Sequence, residues 1–139
     1  MIENLVQDWM TSDPITIPST CALPDAYWLM INHKVRRLLV VDHEKLVGIV
    51  TLEDLRGKVP SILTSMDPLR ANNMHTKLPV CRVMSENPKT IEVNATLLKA
   101  ARLMLEFKIS TLPVMEGSKL VGIITESDIF RALVKQLES

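Results

Sequence analysis

Apolar and polar positions follow two short rhythms along the chain, and the same succession of rhythms occurs twice. Leu23, Tyr27, Met30 and Ile31 fall at i, i+4, i+7 and i+8, and Leu97, Ala101, Met104 and Leu105 do the same. That spacing predicts two amphipathic helices. Pro24 sits in the first turn of its helix, where a missing N–H is not needed. Thr16-Ile17 and Thr90-Ile91 predict a very short strand before each helix. After each helix come two β-branched runs, Arg37 to Val41 with Leu46 to Thr51, and Leu112 to Met115 with Leu120 to Thr125. The polar steps between them, Asp42-His43-Glu44 and Glu116-Gly117-Ser118, predict hairpins. A second helix follows Thr51 and Thr125. It runs on through Ile129, Leu133, Val134 and Leu137 in the second copy, whereas Gly57 and Pro60 stop it early in the first. Leu5 to Met10 and Val80 to Met84 are matching lead-ins of about one helical turn each. Ser65-Met66-Asp67-Pro68 reads as a cap before a first-turn proline, predicting a short helix over Leu69 to Lys77.

The two copies are an internal repeat. Met84 follows Met10, and Asp128 follows Asp54, by the same 74 residues (84 − 10 and 128 − 54). Across this ungapped window 18 of 46 positions are identical, where roughly 3 are expected by chance. KLVGI stands at 45–49 and again at 119–123. The expected division is a first motif over 1–56, a spacer over 57–79 and a second motif over 80–139. A copy of this size, with one three-stranded sheet and two helices, leaves an apolar face uncovered. The expectation is therefore an α/β (α+β) fold in which two tandem β-α-β-β-α motifs pack with pseudo-two-fold symmetry and create two equivalent clefts.

Composition narrows the function. Of 139 residues 47% are apolar, enough for a core. The 16 basic and 16 acidic side chains balance, leaving no electrostatic footprint for nucleic acid or an anionic membrane. Two cysteines are too few for a disulfide scaffold, and no apolar run approaches the ~20 residues of a membrane span. The N-terminus lacks the build of a signal peptide. A cytoplasmic location is expected, with no nucleic-acid or membrane partner. No phosphate loop, dinucleotide fingerprint or Gly-x-Ser-x-Gly elbow occurs among the four glycines. His33, His43 and His75 show no metal-ligand spacing, and Cys21 and Cys81 occupy non-equivalent repeat positions. The chain is expected not to be an enzyme and to require no cofactor or metal.

The remaining chemistry lies in a duplicated Gly-x-x-Thr-x-x-Asp: Gly48, Thr51 and Asp54, then Gly122, Thr125 and Asp128. The glycine allows close approach to a strand backbone. The threonine turns a strand into a helix whose N-terminus favours an anion. The carboxylate one turn on can accept two hydrogen bonds from a ribose diol. The same spacing is a capping-box variant, in which threonine and acid satisfy each other's backbone N–H. Both readings stand at this point.

The motif strings Pro14-Ile15-Thr16-Ile17 and Pro88-Lys89-Thr90-Ile91, Arg36-Arg37-Leu38-Leu39-Val40-Val41-Asp42 and Ser110-Thr111-Leu112-Pro113-Val114, with KLVGIVTLED and KLVGIITESD, resemble the cystathionine-β-synthase (CBS) domain. The chain resembles a stand-alone CBS pair, or Bateman module, similar to small bacterial proteins of the acetoin-utilisation type. The resemblance implies a regulatory, non-catalytic module. It implies a homodimer that binds AMP, ADP, ATP or S-adenosylmethionine in clefts between the motifs and passes a shape change to a regulated protein. Carried over residue by residue, Asp54 and Asp128 hold ribose hydroxyls, Thr51 and Thr125 sit by ribose or phosphate, and Thr16, Ile17, Thr90 and Ile91 lie near the base. Arg37, within a basic run only the first copy has, is a candidate phosphate contact. Leu39 departs from the proline that Pro113 supplies, so the two clefts are expected to differ. The alternative function is a ligand-free structural dimerisation module.

Overall fold

The computed structural model describes residues 4–58 and 78–139. In chain order these form helix α1 (Val6–Trp9), strands β1 (Thr11–Ser12) and β2 (Thr16–Ile17), α2 (Leu23–His33), β3 (Arg37–Asp42), β4 (Lys45–Thr51) and α3 (Leu52–Lys58). A single 3₁₀ turn (Val80–Arg82) and β5 (Ser85–Glu86) follow, then β6 (Ile91–Glu92), α4 (Leu97–Phe107), β7 (Thr111–Glu116), β8 (Lys119–Thr125) and α5 (Glu126–Glu138). Both copies thus form the β-α-β-β-α string expected from periodicity. The helix expected over Leu69 to Lys77 lies outside the described residues.

The local reasons are legible. Pro24 is accommodated in the first turn of α2. Both α2 and α4 stop at a lysine in the left-handed region, Lys34 (φ 56) and Lys108 (φ 54). His43 and Glu44 take positive φ between β3 and β4, as a tight two-residue hairpin requires, and Gly117 does so between β7 and β8. On the helices the buried stripe is Leu23, Ala26 and Met30, matched by Leu97, Ala100 and Met104. Ile31 and Leu105, expected on that stripe, are exposed. An i+8 residue lies at the rim of a helical face.

Each sheet has four strands, not three, in the orders β2-β3-β4-β5 and β1-β8-β7-β6. The fourth strand comes from the lead-in of the other copy. β1 pairs antiparallel with β8, and β5 with β4. Three backbone hydrogen bonds repeat this exchange at the 74-residue offset. Val6 N donates to Ala95 O (2.8 Å) as Val80 N donates to Cys21 O (2.8 Å). Gln7 N to Val93 O (3.1 Å) corresponds to Cys81 N to Ser19 O (3.2 Å), and Leu97 N to Asn4 O (2.9 Å) to Leu23 N to Leu78 O (3.0 Å). The described residues up to Pro14 therefore pack with Pro88–Ser139, and those from Ile15 to Asn87 form the other compact unit. Val6 is buried in the core with Ile91, Leu112, Val114 and Ile124, and Val80 in the core with Ile17, Leu38, Val40 and Val50.

This exchange explains the motif glycines. A Cβ on Gly48 would lie 2.5 Å from the Met84 sulfur and 2.9 Å from the Ser85 carbonyl oxygen. One on Gly122 would lie 2.6 Å from the Met10 sulfur and 2.8 Å from the Thr11 carbonyl oxygen. The group that approaches each glycine closely is the crossing lead-in.

Candidate functional site

Strand β4 ends at Thr51 and α3 begins at Leu52, so the strand-to-helix turn places Thr51 and Asp54 side by side. Thr51 N donates to Asp54 Oδ2 (2.9 Å), and Asp54 N donates to Thr51 Oγ1 (3.1 Å). The reciprocal cap is formed. Asp54 is half-buried, and among the described residues no donor meets its Oδ1. Arg37, the first residue of β3, is the register partner of Thr51. Thr16, exposed, and Ile17 lie on β2, which pairs with β3 in parallel and forms the edge of its sheet. The unit from Ile15 to Asn87 therefore brings Thr16, Ile17, Arg37, Thr51 and Asp54 onto one sheet and the helix that follows it.

The second copy gathers Thr90, Ile91, Thr125 and Asp128 in the same way. Thr125 N donates to Asp128 Oδ2 (2.8 Å), and the Thr125 hydroxyl lies 3.3 Å from the same oxygen. Here Asp128 Oδ1 accepts from the Arg131 guanidinium, one turn further along α5. Thr111 occupies the repeat position of Arg37. It is buried, and its hydroxyl is the one buried side-chain polar atom without a partner among the described residues. Thr90 is exposed just before β6, a strand that starts one residue later than its counterpart.

Ile17 and Ile91 are only 4% and 3% exposed, and both belong to the cores. Their side chains serve packing, which leaves the main chain of the edge strands as the polar face near them. Arg131 was not among the residues singled out from sequence, although its i+3 spacing from Asp128 on a helix was readable. Its equivalent in the first copy is Gly57.

Several charges nearby are paired. Arg36 pairs with Glu53 at 2.6 Å, and this hydrogen bond holds the Glu53 carboxyl below its ordinary value. Ser19 donates to Asp42 through its hydroxyl (2.5 Å) and its backbone N–H (2.9 Å), and those bonds lower the Asp42 value in the same order. Burial raises the Cys21 thiol, and the charge of Asp25 adds to the effect. The described residues contain no cluster of His, Cys, Asp or Glu able to hold a metal, and no helix long and apolar enough to cross a membrane.

The comparisons with known proteins agree with this architecture. A solved structure of the Vibrio cholerae protein AcuB, named for acetoin utilization, is 33% identical with a TM-score of 0.80, over 99% of this chain and 95% of that one. The CBS domain pair of protein MJ0100, solved with 5-methylthioadenosine and S-adenosyl-L-methionine, is 28% identical with a TM-score of 0.80, over 97% of this chain and 99% of that one. CBSX2, solved with AMP, is 30% identical with a TM-score of 0.79, over 98% and 99% of the two chains. Among curated relatives, a CBS domain-containing protein of Dictyostelium discoideum is 32% identical over 96% of this chain and 94% of its own length. In a longer relative from Methanocaldococcus jannaschii, 33% identical, the match takes up only 32% of the protein. The CBS domain family matches twice, over residues 6–61 and 72–135, one match for each copy of the repeat. With two family matches, two four-stranded sheets and a duplicated Thr-Asp turn, the chain belongs to the CBS domain family as a tandem pair.

Proposed function

We propose that the chain is a non-catalytic regulatory module that binds an adenosyl ligand, AMP, ADP, ATP or S-adenosylmethionine, at its Thr-x-x-Asp motif ends. The observation that carries this reading is the Asp54 carboxylate. Its Oδ2 completes the helix cap, while among the described residues Oδ1 meets no donor, and Arg37 is in register with Thr51. A carboxylate oxygen in that position suits a ribose hydroxyl, and a guanidinium suits a phosphate. The adenosyl compounds in the structures of CBSX2 and the MJ0100 pair support the choice of ligand. Regulation then follows from linkage: a ligand that prefers one conformation shifts the population by no more than its differential affinity. No metal or other cofactor is required in this reading, and no nucleic acid or membrane takes part.

Two such chains form a homodimer in this proposal. Leu98 and Leu105 of α4 and Phe130, Val134 and Leu137 of α5 are large apolar side chains left exposed in the single chain, as is Trp28 of α2. Apolar surface of this kind suits a second copy. Tyr27 is half-buried beside Trp28, Met104 lies in the core, and Phe107 at the end of α4 is exposed.

A second reading, a ligand-free dimerisation module that controls its partner by assembly alone, draws support from the cap itself, since both Asp side chains are already engaged. A thermal-shift panel of AMP, ADP, ATP, S-adenosylmethionine, GTP and cyclic nucleotides separates the two. An adenosyl ligand at 100 times its Kd stabilises the fold by about 2.7 kcal/mol. No shift from any adenosyl compound, with a mass by light scattering near twice 15.7 kDa, favours the dimerisation module. A monomer at micromolar concentration removes the homodimer from either reading.

A further inference from the structure

Asp54 and Asp128 occupy the same place in the repeat but not the same chemical state. A ribose hydroxyl donates best to a carboxylate oxygen that has no other donor. Asp54 is half-buried, and among the described residues its Oδ1 accepts no hydrogen bond. Asp128 is more fully engaged: Oδ2 serves the Thr125 N–H and hydroxyl, Oδ1 serves Arg131, and the side chain is 3% exposed. The other differences point the same way. The register partner of the motif threonine is a cationic Arg37 in the first copy and a neutral, buried Thr111 in the second.

We propose that Arg131 locks the Asp128 carboxylate and so makes the Asp54 motif the high-affinity adenosyl site of the pair. The inference rests on the ligand-binding reading above. Arg131 is a positioning residue here, since it acts through Asp128. Its own side chain is 62% exposed, so it can swing into water. The lock is therefore a bias with a finite cost. Releasing a hydrogen bond between two charged groups with one end buried weakens binding about 10-fold or more.

Titration calorimetry with AMP and with S-adenosylmethionine tests this on the full chain. The wild type should bind one equivalent tightly and a second about 10-fold or more weakly. Asp54→Asn should remove the tight equivalent. Arg131→Met keeps the length of the side chain without its charge, and should strengthen the second equivalent by about 10-fold while the melting transition stays cooperative. Moving the lock, Gly57→Arg, should weaken the tight equivalent by a similar factor. A tight equivalent that survives Asp54→Asn, or a second equivalent unmoved by Arg131→Met in a folded protein, overturns the assignment. Binding with the wrong site pattern sinks only the lock. Absence of adenosyl binding in the wild type and in every variant sinks the adenosyl reading, and the lock with it.

Discussion

At Thr51 and at Thr125 the chain makes the same turn from strand into helix, yet the carboxylate three residues on meets different company. Among the described residues Asp54 bonds only within its cap, whereas Asp128 also holds Arg131. The copies diverge elsewhere in the same manner. Helix α4 starts with Thr96, whose hydroxyl accepts from Lys99 N at 3.1 Å, while α2 starts with Ala22 and no side-chain cap. The loop after β2 is latched by Ser19 on the Asp42 side chain, and its counterpart by Val93 N on the Met115 backbone oxygen at 2.9 Å. The bonds of the lead-in exchange, such as Val6 to Ala95 and Val80 to Cys21, repeat without change and are backbone to backbone. Those need only a trace of the chain, so side-chain drift leaves them intact. A site built from side chains has no such protection, and a duplicated fold is not a duplicated site.

Three changes sharpen or break that comparison. The largest effect is expected at the motif glycines, where both copies should respond alike. Gly48→Ala and Gly122→Ala each drive a methyl group into a methionine sulfur and a strand carbonyl that cannot move away freely. Each should cost about 1–3 kcal/mol, read from urea unfolding. A large loss at one glycine and none at the other would show that the two lead-ins are not held equivalently.

A smaller effect is expected at the helix starts, where the copies should respond in opposite directions. Thr96→Ala should cost about 1 kcal/mol by removing the cap on α4. Ala22→Thr installs the missing cap on α2 and should gain about 0.5 kcal/mol. Equal losses from both changes in thermal unfolding would contradict the capping account.

The smallest effect is in acid. Asp42 and Glu53 are both lowered, from ordinary values of 3.8 and 4.5, chiefly by Ser19 and by Arg36. A lowered carboxyl stabilises the fold above its ordinary value, and that contribution disappears as pH falls through the lowered one. The second copy has Glu116 and Ser127 in these places. Ser19→Ala should therefore move the Asp42 midpoint up toward 3.8 in a carboxyl NMR titration. An unmoved midpoint would remove the latch from the list of differences.

Much of the candidate site could be read along the chain. The Thr-x-x-Asp pairs, the hairpins that lead to them and the α-helices between came from periodicities of 3.6 and 2 repeated at one offset. Thr16, Arg37, Thr51 and Asp54 lie in one compact unit, and their grouping as a site rests on the resemblance rather than on spacing. Ile17 and Ile91 were harder to judge, because an isoleucine on a short strand looks the same whether it faces a core or a ligand, and only packing reveals 4% and 3% exposure.

By itself the sequence determined the elements, the duplication and the chemistry available at each motif, because these depend on interactions within a few residues and on identities at a fixed spacing. Tertiary structure alone decided that each lead-in crosses to the other copy. Strands of two residues, such as Thr11–Ser12 and Ser85–Glu86, carry no period to read, and their partners are selected by long-range backbone pairing. It also decided that Arg131 reaches Asp128, since spacing brings two side chains to one helix face but only burial of the acid and the rotamer of the base turn neighbours into an ion pair.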